Sequence, residues 1–191
     1  MKTFVSGLVV GVLIIPVLFL LIAVTGHFPA ATADSPLPFE KTIAGVALHA
    51  RIHREAPKRD VSSLTTADLV SGANVYQKNC ASCHGLPQEP KPLQATGMFP
   101  PPPQLFTADD GVTDDPAGEV FWKVKNGIRL TGMPAFKASL SDEQMWQASA
   151  LVVRADKLPT EALDALKPVA STIVTNAASA PPTQVPANPE K

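Results

Sequence analysis

Cys80-Ala81-Ser82-Cys83-His84 is the stretch on which the reading of this chain turns. Two thiols spaced i, i+3 at a helix end can add across the two vinyl groups of one haem. The histidine that follows is then held beneath the porphyrin, with its imidazole in reach of the iron. The macrocycle dictates this spacing, because vinyl carbons and metal are fixed relative to one another. Other uses of the pair fit less well. A thioredoxin-type couple needs βαβ surroundings that the sequence lacks, a zinc knuckle needs two further ligands close by, and a disulfide is awkward along one helical turn. One covalent haem c, attached through Cys80 and Cys83 with His84 as metal ligand, is the expected cofactor.

A closed haem site wants a ligand on the opposite side. Thr131-Gly132-Met133-Pro134-Ala135-Phe136 offers a thioether, Met133, on a glycine/proline turn 49 residues after His84. A thioether is a soft axial ligand that favours ferrous iron and raises the reduction potential. Met133 could instead fill a gap in the core, but the flanking Gly132 and Pro134 fix a turn rather than extend a helix. The rival sulfur, Met98, is expected to pack on the haem edge or its loop.

Outward from these residues, helices are expected at 39–56, closed by Pro57; from Thr65 or Thr66 into Cys80; at 116–126, between Pro116 and Gly127; and at 141–156. In the last, Ser141 and Gln144 are spaced for a capping box. On the first, Phe39, Ile43, Val46, Ala47 and Ala50 recur at three- and four-residue steps. Seven prolines between Pro87 and Pro103 predict an extended loop. A short helix at 160–167 and an unfolded Ala/Pro-rich tail from Ala177 complete the reading.

Phe4–Val24 is 21 residues without a charge, long enough at about 1.5 Å per residue to cross a bilayer core. Lys2 precedes it and no basic residue follows until Lys41, which predicts a cytoplasmic N-terminus and an exported remainder. The competing reading is a cleaved signal peptide, with Ala31-Thr32-Ala33 as the small-x-small site. The expected organisation is an anchor or signal peptide at 1–25, a periplasmic spacer with a short helix at 26–63, a haem domain at 64–157 and a tail at 158–191.

The whole chain, 191 residues, has room for one ordinary domain plus flanking segments. Sixteen basic and 17 acidic residues give −1, which argues against a nucleic-acid partner. Two cysteines exclude a disulfide framework. Hydrophobic residues make up 45% and charged residues 17%, consistent with part of the chain lying in lipid.

The C-A-S-C-H motif, the proline-rich loop, the helix, T-G-M-P-A-F and the final helix together resemble a class I cytochrome c over roughly residues 64–157. The resemblance implies an all-α cytochrome c fold around one haem, here preceded by a single N-terminal transmembrane helix. It implies a crossing of first and last helices at Gly72 and Tyr76, with Trp146 and Ala150 as partners. Pro103-Gln104-Leu105 is similar to the family's Pro-Asn-Leu, so Pro103 would accept a bond from His84 and Leu105 would touch the porphyrin. The run Pro100–Pro103 departs from the family pattern and leaves open which carbonyl serves.

His49 and His53, at i, i+4, lack a third ligand and read as a solvated or partner-facing surface. His27 reads as interfacial. Trp122 and Arg129 are candidate propionate partners, with surface or core packing as the alternative. Arg51, Arg54, Lys58 and Arg59, interleaved with Glu55 and Asp60, read as a solvated face. Leu105, Phe121, Val124, Ile128 and Phe136 are expected to bury the porphyrin.

The implied function is single-electron transfer through a His84/Met133-ligated haem, without a substrate site. Seven basic and ten acidic residues over 64–156 give −3, so docking inside a complex is favoured over long-range steering. Redox proteins or a respiratory, photosynthetic or dehydrogenase complex are the expected partners, with the membrane held through residues 4–24. The expected location is a bacterial inner (cytoplasmic) membrane, single-pass, with the haem domain on the periplasmic side. Two alternatives remain at this level: a haem enzyme or ligand sensor with a displaceable methionine, and a structural subunit.

Overall fold

Caps and prolines cut the chain into short helices. A computed structural model describes residues 2–168. They form α1 Lys2–Val24, α2 Glu40–Glu55, α3 Thr66–Asn79, α4 Ala81–His84, α5 Leu93–Thr96, α6 Ala117–Asn126, α7 Asp142–Val153 and α8 Thr160–Ala165, with a 3₁₀ turn at Ala155–Lys157. Every regular element among the described residues is a helix, and none is a strand. The alanine/proline stretch from Ala177 lies outside them.

The two helices that matter most for the site start on reciprocal caps. Thr65 accepts the Asp68 amide at 3.3 Å, and Asp68 accepts the Thr65 amide at 2.9 Å. Bonds from the Thr65 amide, then the Thr65 hydroxyl and Gln147, hold the Asp68 carboxyl below its usual range. Ser141 and Gln144 exchange the same pair of bonds at 3.2 and 2.9 Å. Each cap satisfies amides that a helix start otherwise leaves orphaned.

α3 and α7 cross at Gly72. A Cβ there would overlap the Gln147 carbonyl oxygen and lie 2.7 Å from its carbon, so only a residue without a side chain lets the backbones approach this closely. Gln147 donates to Asp68 at 3.1 Å, which ties the two helices together beside the crossing. The aromatics pair differently from the expected Tyr76–Trp146 partnership. Tyr76 meets Phe106 edge-on, with ring centres 5.2 Å apart. Trp146 stacks on Phe121 of α6 at 4.2 Å. Arg59 covers the outer face of Trp146 and Lys125 that of Phe121, at 5.3 and 5.4 Å from the ring centres. Both cations are paired with α7's first turn: Arg59 with Glu143 at 2.8 and 3.1 Å, and Lys125 with Asp142 at 3.0 Å. Arg59 is therefore a clamp rather than part of a solvated face.

The packed unit extends beyond 64–157 at both ends. Ile52 of α2 is 1% exposed, and Ala162 and Leu166 at α8 are 0% and 1% exposed. Trp122 donates its indole N–H to Glu55 at 3.2 Å, and Arg154 donates to the Val61 and Leu64 carbonyls. The face of α2 that packs inward is Leu48 and Ile52, not the stripe that the sequence spacing suggests. Phe39, Ile43 and Val46 are 76%, 68% and 66% exposed. Periodicity marks an apolar stripe but does not say whether a neighbour covers it. Ile52→Val, which removes one methylene from a fully packed site, should cost about 1 kcal/mol. Denaturant unfolding of the haem-loaded protein measures this, and no change at all would mean that α2 lies outside the cooperative unit.

The proline-rich loop is not extended throughout. It contains the single turn α5, whose Ala95 is fully buried. The last long helix ends at Val153 rather than 156, where Arg154 leaves helical geometry and a 3₁₀ turn takes over. In α1, side chains are described at Gly7 and from Val10 to Val24, and the large apolar ones among them are exposed, Ile15 at 71%. Among the residues so described, no helix is long and apolar enough to cross a membrane.

Candidate haem site

α3 delivers Cys80 at its C-terminal cap, and the single turn α4 carries Ser82, Cys83 and His84 around one wall of a cleft. Backbone bonds from the Cys83 and His84 amides to the Cys80 carbonyl, at 3.1 and 2.9 Å, keep the two thiols on consecutive turns. Tyr76, one helical turn earlier, donates its hydroxyl to the Gly85 carbonyl at 2.8 Å and closes the far end of α4.

The proline run forms the facing strap. His84 Nδ1 donates to the Pro103 carbonyl at 2.8 Å. A carbonyl can only accept, so Nδ1 carries the proton and Nε2 keeps a free lone pair for a metal. Of the four carbonyls in Pro100–Pro103, this is the one turned to the ring. Gln104 holds the strap in place, donating at 3.1 Å to both the Cys83 and Pro102 carbonyls. The Leu105 amide donates to the His84 carbonyl at 3.3 Å. Sequence reasoning missed Gln104, because nothing local distinguishes a glutamine that clamps two loops from one in solvent. Burial lowers the pKa of His84, against the opposing pull of the Pro103 carbonyl, which favours the neutral imidazole that a metal requires.

The other wall is the Met133 turn. Thr131 donates its hydroxyl to the Ile128 carbonyl at 2.7 Å and accepts the Met133 amide at 3.1 Å. Ile128 donates its amide to the Met133 carbonyl at 3.2 Å, and Phe136 donates to Val124 at 3.1 Å. The turn is thus fastened to the end of α6, where Gly127 has φ +66° and ψ −178°.

Between the walls lies a cleft of about 290 Å³, lined mostly by apolar side chains. Cys80, Cys83, His84, Met133, Pro103 and Leu105 all line it. Val124, Ile128 and Phe136 do too, whereas Phe121 turns away into its stack on Trp146. Trp122 is bonded to Glu55 and does not line the cleft, and Arg129 is exposed. Leu48 and His49 reach the cleft from α2, an element that the sequence reading placed in a spacer; His53 does not line it. Met98 lines it as well.

The donor set fits a covalently held haem: two thiols, an imidazole with its ligating nitrogen free, a thioether, and apolar walls. It fits the alternatives poorly. Among the described residues, no three His, Cys, Asp or Glu side chains are grouped to hold a bare metal ion. Burial, with the neighbouring Cys83 adding to it, pushes the Cys80 thiol up to about 12, whereas a redox-active C-x-x-C depends on a lowered thiol.

Residues 67–152 match the family model described as Cytochrome C oxidase, cbb3-type, subunit III. No curated protein and no solved structure matches the chain. With the cleft and its C-A-S-C-H wall in place, residues 67–152 are a c-type cytochrome domain, a haem-c module of electron transfer similar to the one in that oxidase subunit.

Proposed function

We propose that this chain is a membrane-tethered single-electron carrier in which His84 and Met133 would bind the iron of one haem c. The observation that carries the reading is the His84 ring. Its Nδ1 proton is committed to Pro103, and its other nitrogen shares an apolar cleft with both cysteines and Met133. When bound, the haem supplies a one-electron couple.

The chain's own residues do the rest. Cys80 and Cys83 would hold the haem covalently to α3 and α4. Pro103 and Gln104 fix the plane of the imidazole and raise its basicity. The Met133 turn, braced by Thr131 and the end of α6, would present its sulfur with little freedom to move. Val124, Ile128, Phe136 and Leu105 exclude water and thereby favour the reduced, less charged state.

The anchor reading rests on residues 4–24, uncharged and helical throughout, with the described apolar side chains exposed. Exposed apolar surface on this scale asks for a non-aqueous neighbour. With Lys2 ahead of it, the helix would place the haem domain on the periplasmic side of a bacterial inner membrane. Since α2 packs onto the haem domain, the free tether shrinks to residues 25–38, which can reach about 50 Å at most. Such a leash keeps the domain at high effective concentration near membrane-bound redox partners. The matched family's name points to a terminal oxidase complex as one such partner; other respiratory, photosynthetic or dehydrogenase complexes fit the same chemistry.

The test is export of the full chain in cells competent for haem attachment. The wild type should carry a pigment that resists acid-acetone extraction and titrates with one electron, and Cys80→Ser/Cys83→Ser should carry none. Deleting residues 2–24 while supplying a cleavable export signal should move the pigment from membranes to the soluble exported fraction. Extractable pigment in the wild type would overturn the haem assignment, and pigment that stays on membranes after the deletion would overturn the anchor.

A further inference from the structure

We propose that Met98 is a standby axial ligand, a second thioether placed to bind the haem iron when the Met133 bond is broken. This rests on the reading of Met133 as the resident ligand.

Three observations converge. Met98 lines the same cleft as Met133 and His84. Its methyl group lies directly against Gly132, the residue before Met133, where a Cβ would overlap Met98 Cε and come within 3.5 Å of its sulfur. Met98 is thus seated on the turn that presents Met133, not on a separate part of the wall. Its position in the chain is held from both sides. Buried Ala95 and the Thr96–Leu93 hydroxyl bond at 2.7 Å anchor α5 before it, and the strap of prolines that holds His84 begins two residues after it.

The chemistry of exchange is simple. One iron–sulfur coordinate bond breaks and another forms, both to neutral thioethers. No proton or electron moves and the iron keeps its oxidation state. Methionine has three rotatable side-chain bonds, so its sulfur can change position without the backbone moving. Gly132 matters here for its missing side chain: any larger residue would occupy the place where Met98 now rests. An apolar residue without sulfur would fill this space equally well, so packing alone does not call for a thioether. With Met98 in reserve, breaking the Met133 bond would not leave iron open to small ligands.

The test uses the full-length haem-loaded protein with Met133→Ala, Met98→Leu and the double variant. Pyridine haemochrome spectra establish equal loading, and far-UV circular dichroism establishes equal helicity. Ferric Met133→Ala should retain a sulfur-to-iron charge-transfer band that the double variant lacks. Its ferrous form should bind carbon monoxide at least tenfold more weakly than the double variant. Should Met133→Ala fail to fold, Met98→Leu alone still decides the matter: when Met133 dissociates, carbon monoxide no longer competes with a second sulfur, so it should bind severalfold faster than in the wild type. Equal carbon monoxide binding by Met133→Ala and the double variant would overturn the standby role and leave Met133 as ligand, as would an unchanged rate in Met98→Leu. Loss of the band in Met98→Leu alone, or its survival in the double variant, would overturn both readings.

Discussion

Gly127→Ala should destabilise the haem-loaded protein by about 3 kcal/mol and release the Met133 turn from the end of α6. Two costs add. The backbone at φ +66°, ψ −178° lies in a region essentially reserved for glycine, and a side chain there costs about 1–3 kcal/mol. The new Cβ would also sit 2.7 Å from the Ala135 nitrogen and the Pro134 carbonyl carbon, and 2.8 Å from the Met133 oxygen. All three are backbone atoms, so no side-chain rotation relieves the contact, and overpacking of this kind costs about 1–3 kcal/mol. The least costly escape is for 133–135 to lift away from α6, which breaks the Ile128–Met133 bond. Denaturant unfolding reads the first effect, and faster hydrogen exchange of the Ile128 amide, which bonds the Met133 carbonyl, reads the second. A variant within 0.5 kcal/mol of wild type would mean that the turn does not press on Gly127.

Gly72→Ala sets a local gain against a tertiary loss. Alanine in a helix interior is favoured over glycine by up to about 1 kcal/mol. At the α3–α7 crossing, however, its Cβ would meet the Gln147 carbonyl and lie 2.7 and 3.2 Å from the next two backbone atoms. Separating two helices that carry Leu69, Ala73, Met145 and Leu151 in the core loosens more than one contact, and overpacking alone costs about 1–3 kcal/mol. The loss outweighs the gain, and a net destabilisation of about 2 kcal/mol is expected. Thermal unfolding at equal haem loading tests the sign: a stabilised variant would show that the two backbones do not approach at Gly72.

Gly127 meets a turn six to eight residues further on, whereas Gly72 meets a helix some 75 residues away, and this difference separates what could be read early from what could not. The C-A-S-C-H spacing, the caps at Thr65 and Ser141, the stop at Gly127 and the turn around Met133 are interactions among residues a few positions apart. Composition and spacing therefore express them directly. The uncharged, apolar composition of 4–24 is legible for the same reason, since it needs no partner to be recognised.

Other features depend on surfaces that the local chain does not contain. Leu48 and Ile52 of α2 face inward while Phe39, Ile43 and Val46 face out, because the packed face is chosen by α6 and the cleft some 70 residues away in sequence. Trp146 stacks on Phe121 rather than on Tyr76, because α6 brings a flat apolar ring to its face, and Lys125 of the same helix and Arg59 from the segment before α3 lie over the two rings. Four consecutive prolines offer four equivalent carbonyls, and only the fold turns the Pro103 oxygen towards His84. Sequence by itself determined the cofactor chemistry and where helices begin. Tertiary structure decided which faces they bury and which atoms brace the imidazole, since burial and hydrogen-bond geometry are properties of neighbours in space.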